Sequence, residues 1–141
     1  MMRNIDNDLL KKEVAVLCVE DELIIMESLR IVLKRRFERT YMALNGKIGL
    51  DLFNEHKVDI VITDIMMPVM DGIEMVKRIL ESKPYTPIII LSALNDEPYL
   101  IKAKELGIKY YITKPFSDED FFSVIYEAAR EVLENRDNPT V

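Results

Sequence analysis

The sequence predicts an α/β protein, with five parallel strands in one sheet and helices packed on both of its faces. Three observations lead there. Short apolar runs rich in β-branched residues recur five times along 141 residues, each followed by a segment with helical spacing. Strands alternating with helices of this length build parallel sheets. The runs are apolar throughout rather than alternating, the pattern of strands covered on both faces. The length suits one sizeable core. A content of 49% hydrophobic and 31% charged residues marks a folded rather than a disordered chain.

The first strand is Val14–Val19, apolar from end to end. Helical spacing follows over Glu22–Glu38, where Leu29, Ile31, Val32, Leu33 and Phe37 supply a wide apolar face and Arg30, Lys34, Arg35, Arg36 and Arg39 stay polar. That basic cluster reads either as a partner patch or as a solvated helix face. Thr40–Leu44 is the second strand, closed by the turn signal Asn45-Gly46, and Gly49 to His56 carries Leu50 and Phe53 on a short helix. Asp59–Thr63 is the third strand, centred on Ile60, Val61 and Ile62. A loop from Asp64 to Gly72 leads into a helix from Ile73 to Ser82. Thr86–Leu91 is the fourth strand, introduced by Pro84 and Pro87; Glu97 to Leu106 is helical, with Gly107 as its stop. Lys109–Thr113 is the fifth strand and Asp118–Asn135 the last helix, capped by Ser117 or Asp118.

Charge and composition narrow the function. A net charge of -6 gives no basic face for nucleic acid. No apolar stretch approaches the roughly 18 residues of a membrane span, and Met1 to Lys12 lacks a signal-peptide core. The one cysteine, Cys18, sits in an apolar run and reads as strand packing. A lone thiol offers no internal disulfide, so the expected location is cytoplasmic. The single histidine, His56, lies in a polar helix-end context and reads as structural or solvated.

In open α/β sheets, ligands bind beyond the carboxyl ends of the strands. There the first strand ends in Glu20-Asp21-Glu22, the third in Asp64, the fourth in Ser92 and the fifth in Lys114. A parallel sheet places all four ends on one edge. Ionised Glu20, Asp21 and Asp64 cannot crowd together without a cation, and carboxylates with water are the ligand set of Mg²⁺. A phosphoryl group on Asp64 would meet metal, the Lys114 ammonium and the Ser92 hydroxyl, and such transfer needs mainly positioning and charge neutralisation. Taken singly, each residue has a plainer reading as a cap, a loop or a strand terminus. Their joint placement carries the argument.

At this point the sequence resembles a known family. Val58-Asp59-Ile60-Val61-Ile62-Thr63-Asp64-Ile65-Met66-Met67-Pro68-Val69-Met70-Asp71-Gly72 is similar to the phosphoacceptor signature of response-regulator receiver domains in two-component systems. Val16-Leu17-Cys18-Val19-Glu20-Asp21-Glu22 resembles their acidic segment, and Leu91-Ser92-Ala93 and Lys114-Pro115-Phe116 match the other two motifs in order and spacing. The resemblance covers Val14 to Leu133. It implies a flavodoxin-like (βα)5 sandwich with sheet order 2-1-3-4-5, a receiver domain over 14–135, an extension at 1–13 and a tail or linker start at 136–141. It implies Asp64 as phosphoacceptor, with Mg²⁺ held by Glu20, Asp21, Asp64 and the backbone carbonyl of Met66. Lys114 and Ser92 would contact the phosphoryl group, Lys114-Pro115 would be cis, and Ser92 and Tyr111 would form the switch. From the residues alone, Tyr111 is one of two adjacent strand tyrosines and reads as core packing.

The implied partners are a sensor histidine kinase or phosphotransfer protein and an output domain or downstream protein, met on a face spanning roughly Glu97 to Asn135. A homodimer formed on phosphorylation is compatible with this. The implied role is a signalling switch rather than an enzyme acting on other substrates. Met66 and Leu94, both apolar near the expected path of water, predict slow self-dephosphorylation. A haloacid-dehalogenase-type phosphatase is disfavoured, because Met66 stands where its second aspartate would be. No glycine-rich nucleotide loop exists. The alternative within the family is a degenerate receiver that works as an interaction or dimerisation module without phosphorylation. Either a stand-alone regulator or a piece of a longer chain fits the length.

Overall fold

The computed structural model describes residues 6–93 and 96–137. Its elements run α1 (Asn7–Glu13), β1 (Ala15–Val19), α2 (Leu23–Arg36), β2 (Arg39–Ala43), α3 (Gly46–Glu55), β3 (Ile60–Asp64), α4 (Gly72–Ser82), β4 (Ile88–Ser92), α5 (Glu97–Glu105), β5 (Tyr110–Thr113) and α6 (Asp118–Asp137). The five strands form one parallel sheet, as their apolar pattern predicts, in the order β2-β1-β3-β4-β5 that the family resemblance implies.

Alternate residues of each strand point to opposite faces, and two cores result. On one face, Val16, Cys18, Ile60, Ile62, Ile89 and Leu91 pack against Leu29, Leu33 and Phe37 of α2 and Phe121, Ile125 and Leu133 of α6. On the other, Leu17, Val19, Val61, Ile88 and Ile90 pack against Phe53 of α3, Met75, Val76 and Ile79 of α4, and Ala103 of α5. Met26, Leu29 and Leu33 form the buried line of α2, continued by Phe37 at its C-cap, while Ile31 turns outward to 48% exposure. The basic residues of α2 are mostly solvated: Lys34 and Arg35 are exposed, and Arg30 pairs with Glu27 on its own helix.

The structure changes or sharpens three local readings. Asn45-Gly46 is not a turn that closes β2 but the start of α3. The Asn45 side chain caps the helix by accepting from the Ile48 N–H at 2.9 Å. Gly46 is demanded by proximity, since a Cβ there would lie 2.4 Å from the Met70 carbonyl oxygen. At the start of α6, Ser117 provides the side-chain cap, accepting from the Asp120 N–H at 3.1 Å. The N-terminal extension contains a helix, α1, capped by Asp6 and anchored by the fully buried Leu10.

That helix is tied down at its C-terminal end. The Glu13 carbonyl accepts from Arg39 at 2.8 Å and from Arg136 at 3.2 Å. Arg136 also reaches Asp59 at 2.6 Å, and the second Asp59 oxygen accepts from the Ala15 N–H at 2.8 Å. Helix α6 therefore continues as an ordered element past Asn135. No helix among the described residues is long and apolar enough to cross a membrane.

Candidate phosphoacceptor site

The site lies where β1, β3, β4 and β5 run out. Asp64 is the last residue of β3, buried to 6% exposure, and Glu20 and Asp21 follow directly on β1. One carboxylate oxygen from each of Glu20, Asp21 and Asp64 lies within 4.8 Å of the others. Glu20 is fully buried, and neither of its carboxylate oxygens has a hydrogen-bond partner among the described residues. A buried carboxylate without partners is costly. With the exposed Asp21 and the buried Asp64 beside it, Glu20 completes a group of converging carboxylate oxygens, which is the donor set of a hard divalent cation. The residues present fit such an ion.

Lys114 supplies the one cation seen in contact with the cluster. Its Nζ lies 2.5 Å from Asp64 Oδ1, a charge contact rather than an aligned hydrogen bond. Burial pushes the Asp64 carboxyl above its ordinary range, Lys114 opposes that rise, and the negative charge of Asp96 adds to it. Lys114 is placed by backbone: its N–H donates to the Ser92 carbonyl at 2.7 Å, one step beyond the β4–β5 ladder. The Lys114-Pro115 peptide is cis.

Ser92 is buried and follows Leu91, the register partner of Asp64 on β4. Tyr111 lies two residues before the end of β5, half-buried against the α3–α5 core, with its hydroxyl donating to the Ile108 carbonyl at 2.8 Å. It is thus part of the packing in this structure. Met66 sits in the loop beyond Asp64 with its side chain 55% exposed. Leu94 lies outside the described residues.

The loop after Asp64 is tightly specified. Thr63 donates its hydroxyl to the Asp64 carbonyl at 2.7 Å, and the Gly72 N–H donates to Ile65 at 2.8 Å. A Cβ on Gly72 would lie 2.0 Å from the Asp64 carbonyl oxygen, so only glycine lets α4 begin this close to Asp64. Asp71 caps that helix through the Glu74 N–H at 2.8 Å. Sequence reasoning missed one buried acidic neighbour, Asp96, at the start of α5. The polar run Asn95-Asp96-Glu97 just before a helical segment was the available signal.

Comparison with known proteins agrees with this geometry. The sequence profile of the response regulator receiver domain matches residues 16–126. The chain is 38% identical over 117 residues to the transcriptional regulatory protein YdfI of Bacillus subtilis, covering 82% of this chain and 54% of that protein. It is 35% identical over 119 residues to the response regulator GtcR of Aneurinibacillus migulanus, covering 84% of this chain and 49% of that protein. The chain thus spans about half the length of these curated relatives. Among solved structures, the N-terminal domain of an uncharacterized protein from Wolinella succinogenes superposes with a TM-score of 0.81 at 31% identity, covering 86% of this chain and 98% of that one. The chemotaxis response regulator CheY4 of Vibrio cholerae superposes with a TM-score of 0.73 at 25% identity, covering 82% and 98%. With the sheet order, the acidic cluster and the profile match all in agreement, the chain belongs to the response regulator receiver domain family of two-component signalling.

Proposed function

We propose that this chain takes a phosphoryl group onto Asp64 from the phosphohistidine of a sensor kinase or phosphotransfer protein. The supporting observation is the pairing of Asp64 with Lys114 at 2.5 Å beside two further carboxylates within 4.8 Å. An Asp64 carboxylate oxygen attacks phosphorus, the bond from phosphorus to the donor imidazole nitrogen breaks, and the imidazole leaves with the electron pair. Glu20, Asp21, Asp64 and the Met66 carbonyl hold Mg²⁺, which supplies charge neutralisation at the phosphoryl oxygens. Lys114 moves from its contact with the bare carboxylate to a phosphoryl oxygen, and Ser92 donates its hydroxyl to another.

Phosphorylation is then a local charge event that biases a two-state element. Ser92 moves toward the phosphoryl group, Tyr111 gives up its bond to Ile108 and turns inward, and the surface of α5, β5 and α6 changes. That surface meets an output domain or partner protein, or a second copy of the chain. The protein works in the cytoplasm. With apolar Met66 beside the site, no side chain at that position orients an attacking water, and self-dephosphorylation is slow.

The test is incubation with Mg²⁺ and a small-molecule phosphodonor, followed by intact mass measurement of the wild type and Asp64→Asn. One metal-dependent phosphoryl adduct, absent from the variant, is expected. An adduct on both proteins overturns the assignment of the nucleophile, and no adduct on either favours a receiver that works without phosphorylation.

A further inference from the structure

Among the described residues, five polar or charged ones are buried: Glu20, Thr63, Asp64, Ser92 and Asp96. Four are accounted for by the acidic cluster, the phosphoryl contact and the Thr63 bond to the Asp64 carbonyl. Asp96 is not. It stands at the N-cap of α5, where an aspartate ordinarily accepts from an N–H of the first turn, yet it makes no side-chain cap bond to its own helix. Its carboxylate reaches backward instead, and Oδ2 accepts from the Ala93 N–H at 2.7 Å, while its own N–H donates to the Ala93 carbonyl at 3.2 Å. This short charge-assisted bond holds the residue next to Ser92.

The register locates that bond relative to the chemistry. Asp64 pairs with Leu91, Ser92 is the next residue and Ala93 the one after. The Ala93 N–H is therefore a backbone donor within two residues of the nucleophile's partner, and in this structure it is spent on a carboxylate. A phosphoryl group brings new acceptor oxygens to that strand edge, and an advance of the Ser92 backbone toward them moves the peptide that Asp96 holds.

We propose that Asp96 is a positioning residue: by holding the Ala93 N–H it keeps Ser92 back in the free protein, and this bond is released when the end of β4 closes on a phosphoryl group. The proposal rests on the reading of Asp64 as phosphoacceptor. Releasing a charge-assisted bond opposes closure, so deleting the acceptor favours the closed state.

The experiment measures the affinity of the full chain for beryllium fluoride in the presence of Mg²⁺ by calorimetry, for wild type, Asp96→Ala and Asp96→Asn. Asp96→Ala is expected to bind about tenfold more tightly, a coupling of ordinary size. Asp96→Asn, whose amide oxygen accepts the same N–H, is expected to stay within about threefold of wild type. An Asp96→Ala affinity equal to or weaker than wild type overturns the proposal, and so does Asp96→Asn behaving like Asp96→Ala, since charge alone would then be responsible. Amide hydrogen exchange at Ala93 in the free wild type needs no variant: a protected amide is expected, and an unprotected one overturns the proposal. A wild type that binds no beryllium fluoride overturns the phosphoacceptor reading itself.

Discussion

Val69 carries a backbone strain that a single substitution should relieve. It has φ of 69°, the one non-glycine positive φ among the described residues, and the Met70 N–H donates to the Pro68 carbonyl at 2.8 Å across it. This is the rare positive-φ form of the three-residue turn. An L-residue in the left-handed region costs about 1–2 kcal/mol, and β-branching makes valine one of the poorest choices there. Its side chain is 81% exposed, so removing it forfeits little packing. Asparagine tolerates this conformation, and Val69→Asn should stabilise the fold by about 1 kcal/mol. Val69→Gly should gain only a few tenths, because glycine has about 0.5–1 kcal/mol more chain entropy to lose on folding. The assay is urea unfolding at constant m-value, with a rise in melting temperature of about 3–5 °C for Val69→Asn as cross-check. Val69→Ala is the control, since it keeps the Cβ and most of the strain. An asparagine variant no more stable than the alanine variant would refute the reasoning.

Asp59→Ala should cost about 3 kcal/mol in the same assay, because it strands the buried Ala15 N–H and unpairs Arg136, whereas Asp59→Asn should lose about 1. Cys18 should resist iodoacetamide in the native state and react only on unfolding: burial, with Asp64 adding, pushes its thiol up from the ordinary range near 9, so the folded chain keeps a proton that the unfolded chain releases. For the same reason stability should fall as pH rises above about 9. Mg²⁺ should raise the melting temperature of the wild type, and Glu20→Gln should abolish most of that rise; an equal rise in both would remove Glu20 from the ion's ligands.

The fold was legible because buried parallel strands write themselves as unbroken apolar runs, and Val14–Val19, Ile60–Ile62 and Ile88–Leu91 are such runs. The acidic cluster was legible for a related reason: strand ends share an edge, so Glu20, Asp21, Asp64 and Lys114 could be brought together without knowing any distance. What escaped depends on contacts that sequence spacing does not encode. Helix α1 buries only Leu10, too little to give a periodic signal. Gly46 looked like a turn residue, but its constraint comes from Met70, 24 positions along the chain by number. Asp96 lies just before the helix read from Glu97, and nothing in its neighbourhood announced a side chain directed backward.

The bond between Arg136 and the Glu13 carbonyl joins positions 123 residues apart. Contacts of that separation close large loops, whose entropy is lost before the contact forms. A contact absent from the transition state slows unfolding without hastening folding. Arg136→Ala, which removes two bonds of the seam of Arg39, Arg136, Asp59 and the end of α1, is therefore expected to speed unfolding more than it slows folding, read from the two arms of a urea chevron. The seam sits at the edge of the sheet where β1 begins, opposite the carboxyl ends that bear Asp64. Anchoring of the chain's two ends and the acidic cluster thus occupy opposite poles of one sheet.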